Sequence, residues 1–307
     1  MTDRFQKRLQ SGGVLVADGA TGTGYQEMGS EIGVAPEEWV YDRPDKVLEL
    51  HRAFITAGSD IILTDTFGGT PIRMRESRYA GRASELNRRA AELAREAASF
   101  KDSVLVAGSI GPSGLLMEPY GELTRAAAVQ TFAEQAAALA AGGVDLVVLE
   151  TFFALDEALA AIEGVRQATG LPLVASFSFD QGTRTMMGLS PTQMVEAIAP
   201  LGVAAIGANC GKSLDAMEAV VTEIAGMRAG IPLWVKPNAG LPRMDGDVAR
   251  YDTGPGTMAE YARRFIGLGA RIVGGCCGTS PAHVAAIAAS ARAALPRPAE
   301  RPAKLKV

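Results

Sequence analysis

The sequence predicts a single (β/α)8 TIM barrel, and three observations support this fold. Eight short apolar runs alternate with Ala-rich amphipathic stretches, and continuous apolar runs are typical of parallel strands covered on both faces. A length of 307 residues fits one such barrel. Eight regular units favour a closed barrel over an open doubly wound sheet. The predicted strands are 14–19, 60–66, 103–110, 145–151, 172–179, 203–210, 232–238 and 271–277.

The stretches between these strands carry helix signals. Apolar residues recur at helical spacing in 154–169. Two helices are predicted to open with a capping serine followed by proline, at Ser190-Pro191 and Ser280-Pro281. We expect one barrel domain over residues 1–295 and a short, flexible tail rich in proline and charge at 296–307.

The composition excludes several classes of protein. With 48% hydrophobic and 21% charged residues, the chain resembles an ordinary soluble globular protein. A net charge of −4 and a pI near 5.4 argue against a nucleic-acid partner. No apolar run reaches the roughly 18 residues of a membrane span, and the N-terminus lacks the apolar centre of a secretory signal. Three cysteines cannot form a disulfide framework. We therefore expect a cytoplasmic protein that binds neither nucleic acid nor membrane.

The cysteines mark the predicted site. TIM-barrel active sites lie at the C-terminal ends of the strands, and Cys210, Cys276 and Cys277 all fall there, on predicted strands six and eight. Three thiolates can hold a tetrahedral metal with one position open, which is typical of catalytic zinc, and soft thiolates favour zinc over magnesium or calcium. Buried core cysteines are one alternative. A vicinal disulfide is another, although it fits a reducing compartment poorly.

Glycines surround the cysteine pair. Side chains of a regular strand alternate between faces, so two ligands at Cys276 and Cys277 require a break in the pleat. Gly274, Gly275 and Gly278 flank the pair, and glycine adopts unusual backbone conformations at little steric cost. We expect these glycines to supply that conformational freedom.

Five sequence motifs resemble the homocysteine S-methyltransferase family: "DGATGT", "HRAFITAGSDIILTDTFGGTP", "GANC", "VKPNAGLP" and "GGCCGTSP". The resemblance covers about residues 12–293. It implies a methyltransferase that binds one Zn²⁺ per chain through Cys210, Cys276 and Cys277, with the thiolate of homocysteine as the fourth ligand and methionine as the product. Zinc deprotonates a thiol without a general base, so no catalytic residue is expected beyond the zinc site.

The resemblance also implies the residues that bind the substrate. Glu150 matches the family glutamate that binds the amino group of homocysteine. Asp18 and Gly19 match the turn that lines the amino-acid end of the site, where backbone amides could reach the carboxylate; the alternative for Asp18 is a turn or capping role. Asn238 matches an asparagine able to occupy the open zinc position before substrate arrives, or one that only orients the backbone. Asn209, in "GANC", is the fifth predicted substrate-binding residue.

The methyl donor stays open among S-methylmethionine, a betaine-like amine, a methyl-corrinoid and a folate. Betaine-dependent members carry a tyrosine where this chain has Gly68, which argues against betaine. The motifs are closer to the methionine synthase module, but we find no cobalamin-binding segment, so a corrinoid would have to come on a separate protein. The alternatives are therefore a methyltransferase subunit of a corrinoid-dependent demethylation system and a non-catalytic barrel that binds zinc or homocysteine. We expect a monomer or a homodimer.

Overall fold

The structure, a computed structural model, describes residues 4–31, 33–246 and 248–294. The predicted tail at 296–307 lies outside the described residues. Within them the strands are β1 (Leu15–Val16), β2 (Ile61–Leu63), β3 (Leu105–Ile110), β4 (Leu146–Phe152), β5 (Leu173–Phe177), β6 (Ala205–Cys210), β7 (Leu233–Pro237), β8 (Pro242–Asp245), β9 (Val248–Tyr251) and β10 (Ala270–Val273). The α-helices are α1 (Arg4–Gln10), α2 (Thr21–Glu27), α3 (Trp39–Asp42), α4 (Pro44–Ala57), α5 (Ala83–Ala98), α6 (Arg125–Ala141), α7 (Leu155–Ala168), α8 (Pro191–Ile198), α9 (Leu214–Gly226), α10 (Pro255–Gly267) and α11 (Pro281–Ala293).

Eight of these strands form a closed parallel barrel, which confirms the predicted fold. Their order is β1-β10-β7-β6-β5-β4-β3-β2, and a parallel bridge between Ala17 and Ile61 joins the two ends. Because neighbours in sequence are neighbours in the sheet, each connection carries a helix over the outer face. The last barrel strand ends at Val273, so the cysteine pair lies in the loop beyond it and not within the predicted strand 271–277.

The barrel interior is filled by alternate side chains of each strand. In β3, Leu105 and Ala107 belong to the interior cluster, whereas Val106 packs in the layer between sheet and helices. Phe5 and Leu9 of α1 belong to the same interior cluster, where they pack with residues from the strands. This packing confines open space in the barrel to its C-terminal end.

The same alternation places polar residues at that end. Two residues after the interior side chains of Ala107, Val148 and Trp234 come polar side chains that are almost wholly buried. These polar residues are Ser109, Glu150 and Lys236. A polar layer therefore lies directly above the apolar interior, where the active site of this fold is expected.

Two local predictions are confirmed and one element was not predicted. Ser190 and Ser280 both cap their helices in capping boxes, ahead of prolines at the first helical position. Between β7 and α10 the chain forms an antiparallel hairpin, β8–β9, whose first strand is exposed. No helix in the part of the chain that the structure describes is long and apolar enough to cross a membrane.

Candidate active site

The three cysteines meet at the C-terminal end of the barrel. The Sγ atom of Cys210 lies 3.1 Å from that of Cys276 and 3.9 Å from that of Cys277. All three sulfurs lie within 4.8 Å of one another, and among the described residues they form the group that could hold a metal ion. Cys210 reaches this position with a backbone φ of +57°, a conformation that non-glycine residues adopt mainly where the surroundings impose it.

The glycines before the cysteine pair are required by close packing. A Cβ on Gly275 would lie 2.4 Å from the Thr279 side chain, and one on Gly274 would lie 2.9 Å from the carbonyl oxygen of Ala17. Among the three flanking glycines only Gly278 has a positive φ, of +76°. The expectation that all three supply conformational freedom is therefore wrong for Gly274 and Gly275, whose role is to let other groups approach closely.

The Asn238 side chain binds backbone on both cysteine loops. Its Nδ2 donates to the carbonyl oxygen of Gly211 at 3.0 Å, and its Oδ1 accepts from the backbone N–H of Cys277 at 3.0 Å. One amide thus holds the loop after Cys210 against the loop that contains Cys277. This arrangement corresponds to the second of its two predicted roles, and occupation of the open metal position stays a prediction.

Asn209 is buried behind the cysteines and makes four polar contacts. Its Oδ1 accepts from the backbone N–H of Thr151 at 2.8 Å and from the Ser176 hydroxyl at 2.6 Å. Its Nδ2 donates to Thr151 Oγ1 at 2.7 Å and lies 3.8 Å from Cys276 Sγ. Thr151 has a φ of +66°, which is strained for a β-branched residue. The Asn209 side chain therefore contacts both Thr151, at the strained end of β4, and the sulfur of Cys276.

The thiols change one another's acidity. Hydrogen bonds from Cys210 and then Cys276 lower the pKa of Cys277 to about 3. Hydrogen bonding to its two neighbours raises the pKa of Cys210 well above its ordinary value. Hydrogen bonds from its two neighbours therefore favour the thiolate form of Cys277, whereas the same contacts disfavour the thiolate form of Cys210.

Glu150 and Lys236 form the polar floor next to the cysteines. Ser109 donates a hydrogen bond to Glu150 Oε1. Burial raises the pKa of Glu150 to about 7 against the opposing charge of Lys236. Burial alone would lower the pKa of Lys236, but the charges of Asp18 and Glu150 outweigh it and raise that pKa. The polar floor therefore presents an acidic and a basic side chain, Glu150 and Lys236, to the same cavity.

Asp18 lies under this floor as the partner of Lys236. Lys236 Nζ donates to Asp18 Oδ1 at 2.9 Å, and Asp18 Oδ2 accepts from the backbone N–H of Leu63 at 2.7 Å. Both side chains are at least 97% buried. Asp18 thus joins β1, β2 and β7, and a direct contact between Asp18 and a substrate stays a prediction.

These groups surround a cavity of about 510 Å³ at the C-terminal end of the barrel. Of the residues predicted from sequence, five line it and three do not. The five are Gly19, Glu150, Cys210, Cys276 and Cys277. Asp18, Asn209 and Asn238 lie behind the cavity wall, where they hold residues that line it.

Several residues that line the cavity were not among the predicted site residues, and those of them with ionisable side chains are Glu37, Asp65, Arg73, Lys236 and Tyr251. Lys236 lies within the predicted strand 232–238, and the alternation that places its side chain two positions beyond Trp234 could have identified it. Tyr251 lies on the unpredicted hairpin, which Asp245-Gly246 could have signalled as a turn. A Cβ on Gly278 would lie 2.1 Å from the Tyr251 ring, so this tyrosine packs on the cysteine loop. Asp65 stands at the C-terminal end of the predicted strand 60–66, where the active site of this fold is expected, whereas nothing local in the sequence distinguishes Glu37.

Comparisons with known proteins find similar sequences over most of the chain. The sequence profile of the family described as homocysteine S-methyltransferase matches residues 15–291. Methionine synthase from Mycobacterium tuberculosis is 32% identical over 293 residues, which cover 90% of this chain and 24% of that protein. Methionine synthase from Mycobacterium leprae is 30% identical over the same shares. The chain thus spans about a quarter of the length of these curated relatives.

Solved structures show the same fold. The homocysteine methyltransferase MmuM from Escherichia coli, in its metallated form, superposes with a TM-score of 0.80 at 24% identity, covering 93% of this chain and 99% of that one. Its oxidized form superposes with a TM-score of 0.78 at 25% identity, covering 94% and 99%. The family match spans nearly the whole barrel and includes every cysteine, which confirms the predicted family. The chain belongs to the homocysteine S-methyltransferase family.

Proposed function

We propose that this chain transfers a methyl group to the thiolate of L-homocysteine, giving methionine, with one Zn²⁺ held by Cys210, Cys276 and Cys277. The observation that carries the proposal is the convergence of three thiols on the wall of a cavity. Family membership supports the homocysteine substrate. The relative MmuM, which has been solved in a metallated form, supports metal binding.

The cysteine cluster fits a zinc ion. A tetrahedral ion with Zn–S bonds of about 2.3 Å separates its sulfur ligands by about 3.8 Å. Here the Sγ atom of Cys210 lies 3.1 Å and 3.9 Å from those of Cys276 and Cys277, and all three Sγ atoms lie within 4.8 Å of one another. Three thiolates leave one ligand position for a substrate sulfur. When bound, zinc would supply the Lewis acidity that keeps a thiol substrate in its nucleophilic thiolate form.

The polar floor orients the amino acid. Glu150 lines the cavity beside the cysteines and accepts a hydrogen bond from Ser109, and this position supports a role in binding the ammonium group of homocysteine. Gly19, Thr21 and Gly22 line the same cavity, which supports the expectation that backbone N–H groups of this turn bind the carboxylate. Together these contacts point the side-chain sulfur at the cysteines, and such positioning supplies much of the rate enhancement of a bimolecular transfer.

Residues behind the wall fix this arrangement. Asn238 ties the two cysteine loops together, and Asn209 reaches both Thr151 and a cysteine sulfur. Lys236 faces Glu150 and favours its ionised form, which is the form that binds an ammonium. Asn209, Asn238 and Lys236 are thus positioning residues, which act through the cysteines and Glu150.

The test measures zinc and product in the same protein. We expect the wild type to bind one Zn²⁺ per chain, by metal analysis after dialysis, and to form methionine from homocysteine with S-methylmethionine as the sole donor. Cys210→Ala should lose zinc and activity together, whereas Ser176→Ala, which alters a buried group near the site without touching a thiol, should keep both. Retained zinc and turnover in Cys210→Ala would contradict the proposal.

A second candidate is a methyltransferase subunit that works with a separate corrinoid protein. The observation that favours it is exposed apolar surface on the connections that follow three barrel strands. Six of the eight large apolar side chains that are exposed in the described residues lie in the loops after β3, β5 and β7. They are Leu116, Tyr120, Met186, Met187, Leu241 and Met244. Exposed apolar surface of this kind is typical of protein contact sites.

The two candidates differ in what they require. A protein that makes methionine from S-methylmethionine without any added protein is self-sufficient. Activity that appears only with an added methyl-corrinoid protein, and that falls when Met186 and Met187 are both changed to serine, would favour the second candidate. The predicted monomer or homodimer is checked in the same preparations by light scattering.

A further inference from the structure

The β8–β9 hairpin contributes one aromatic side chain, Tyr251, to the cavity. Ala249 and Tyr251 are alternate residues of β9 and therefore point to the same face of the strand, and both line the cavity that contains the cysteines. The other strand of the hairpin, β8, is exposed along its whole length. The proposed chemistry gives no role to Tyr251, so its position beside the cysteines requires an explanation.

The base of the hairpin is bonded to the loop that contains the cysteine pair. The backbone N–H of Ala239 donates to the carbonyl oxygen of Cys277 at 2.9 Å, and the backbone N–H of Thr253 donates to the carbonyl oxygen of Ala239 at 3.2 Å. The backbone N–H of Ser280 donates to Nδ1 of His283 at 3.1 Å, so the ring proton of His283 lies on Nε2. This Nε2 donates to the carbonyl oxygen of Thr253 at 2.8 Å. These bonds tie the end of the hairpin that follows β9 to the cysteine loop.

The Tyr251 side chain lies on this loop. A Cβ on Gly278 would lie 2.1 Å from Cγ of the Tyr251 ring, so the ring fits there only because residue 278 is glycine. The side chains of Tyr251 and Cys277 are hydrogen-bonded to each other. Because a phenol keeps its proton near neutral pH, the Tyr251 hydroxyl is the donor toward a Cys277 thiolate.

The hydrogen bond from Tyr251 distinguishes Cys277 from its neighbour in the pair. The polar contact of Cys276 with Asn209 is long, at 3.8 Å from Nδ2 to Sγ. Cys277 instead accepts from a hydroxyl whose residue lines the cavity together with it. A hydrogen bond to a thiolate is charge-assisted, and a thiolate made less basic is also less nucleophilic.

The cysteines are themselves possible methyl acceptors. Cys210, Cys276 and Cys277 all line the cavity, and each is only partly buried. A thiolate is both the nucleophile and the metal ligand of a cysteine, so methylation of one of these sulfurs would remove a thiolate from the cluster and give no methionine. A site that transfers methyl groups to a bound thiol therefore needs its own thiolates to be less reactive than the substrate.

We propose that Tyr251 protects Cys277 from methylation, because its hydroxyl donates a hydrogen bond to the Cys277 thiolate and leaves the substrate sulfur as the preferred methyl acceptor. This inference rests on the proposed function. Tyr251 acts through Cys277 and is a positioning residue. In the reaction that it suppresses, a bond forms between Cys277 Sγ and the methyl carbon. The bond between that carbon and its leaving group breaks, and the electron pair stays on the leaving group.

Alkylation of the zinc-loaded protein tests this proposal. Methyl iodide transfers a methyl group to sulfur and releases iodide, and tandem mass spectrometry of the peptides measures the product at each cysteine. Tyr251→Phe keeps the ring on Gly278 but removes the hydroxyl. We expect it to raise the rate at Cys277 about 3- to 10-fold, the effect of a charged hydrogen bond on nucleophilicity. The rates at Cys210 and Cys276 should change less than about 2-fold.

Two further measurements separate this role from simple packing. Tyr261→Phe removes a phenol hydroxyl that donates to Asp215 at an exposed position, so it should change none of the three rates. With cobalt(II) in place of zinc, charge transfer from sulfur to metal absorbs at longer wavelength when the thiolate holds its electrons less tightly. The charge-transfer band should therefore move to longer wavelength in Tyr251→Phe and stay in place in Tyr261→Phe.

The outcomes distinguish this inference from the proposed function. Equal rates at Cys277 in the wild type and Tyr251→Phe, or an unshifted cobalt band, would overturn the inference. Equal acceleration at all three cysteines, or loss of zinc from Tyr251→Phe alone, would assign Tyr251 a structural role and would overturn it too. Zinc content and methionine formation are measured in the same samples. Their absence from the wild type would contradict the proposed function, whereas their presence with equal alkylation rates would contradict the inference alone.

Discussion

The ammonium group of Lys236 and the carboxylate of Asp18 form an ion pair of 2.9 Å under the floor of the cavity, with both side chains at least 97% buried. The pair joins strands that are distant in sequence, because Asp18 follows β1 and Lys236 lies in β7. Asp18 also accepts a hydrogen bond from Leu63. Removing one member of such a pair leaves the charge of the other member buried without a partner, and this destabilises the folded protein.

Lys236→Met should destabilise the protein by about 3–5 kcal/mol at pH 7, because it leaves Asp18 buried without a counter-charge. Urea unfolding measures this loss. Arg264→Met, which removes surface ion pairs with Glu218 and Glu260, should leave the free energy of unfolding almost unchanged, because solvent screens exposed ion pairs. Adding Asp18→Asn to Lys236→Met should recover part of the loss, and no recovery would contradict the explanation.

Asn209→Asp should weaken zinc binding about 10- to 100-fold, the usual effect of disturbing the groups that orient metal ligands. The change removes the donor that reaches Thr151 and Cys276 and places a negative charge beside thiolates. Competition with a chromophoric chelator measures the affinity. Ser176→Ala deletes only a bond to the other end of the amide, so its zinc affinity should stay within a few-fold of the wild type.

Gly278→Ala should destabilise the cysteine loop. Its φ of +76° disfavours any Cβ, and that atom would lie 2.1 Å from the Tyr251 ring. We expect a loss of about 1–3 kcal/mol in unfolding free energy together with reduced zinc content. Gly256→Ala has open space around its Cβ and lies in α10, so it should be neutral or stabilising. Similar behaviour of the two variants would contradict the prediction.

His51 should make the protein less stable in acid. Burial lowers the pKa of His51 from 6.5 to about 4, with the charge of Asp18 opposing the shift, and its Nε2 has no partner among the described residues. The unfolded chain takes up a proton near pH 6.5, but the folded protein does so only near pH 4. Stability from this group is therefore fully present above pH 6.5 and is lost as the pH falls toward 4.

His51→Leu removes this dependence. Relative to the wild type, its free energy of unfolding should rise by up to about 3 kcal/mol between pH 7 and pH 4, as measured by urea unfolding at several pH values. Between pH 7 and pH 8 the difference between the two proteins should be constant. A difference that does not change with pH over the whole range would show that His51 does not titrate in this way.

Much of the architecture could be predicted from local sequence. The eight apolar runs, the Ser-Pro helix starts at Ser190 and Ser280 and the cysteine positions at strand ends depend on periodicity and on turn chemistry, which act over a few residues. Even the buried position of Lys236 follows from the two-residue alternation of its strand. The cytoplasmic location and the oligomeric state stay predictions.

The features that could not be predicted depend on contacts between distant segments. Gly275 packs against Thr279 and Gly274 against Ala17, so their role depends on how closely loops approach and not on their own backbone freedom. Asn209 and Asn238 look alike in sequence as strand-end amides. In the closed barrel, the Asn209 side chain contacts Thr151 and Cys276, whereas the Asn238 side chain binds two backbone groups.

The sequence by itself determined the fold, the family and the three cysteines of the candidate metal site. Hydrophobic periodicity and strand-end position are properties of short segments, and closure of the barrel then brings the strand ends together. The tertiary structure decided which side chains face the cavity and which lie behind its wall. It placed Asp18 under Lys236, and it brought Tyr251 onto the loop that contains Cys277. Burial and charge pairing depend on neighbours that are remote in the chain, so only the folded barrel could fix them.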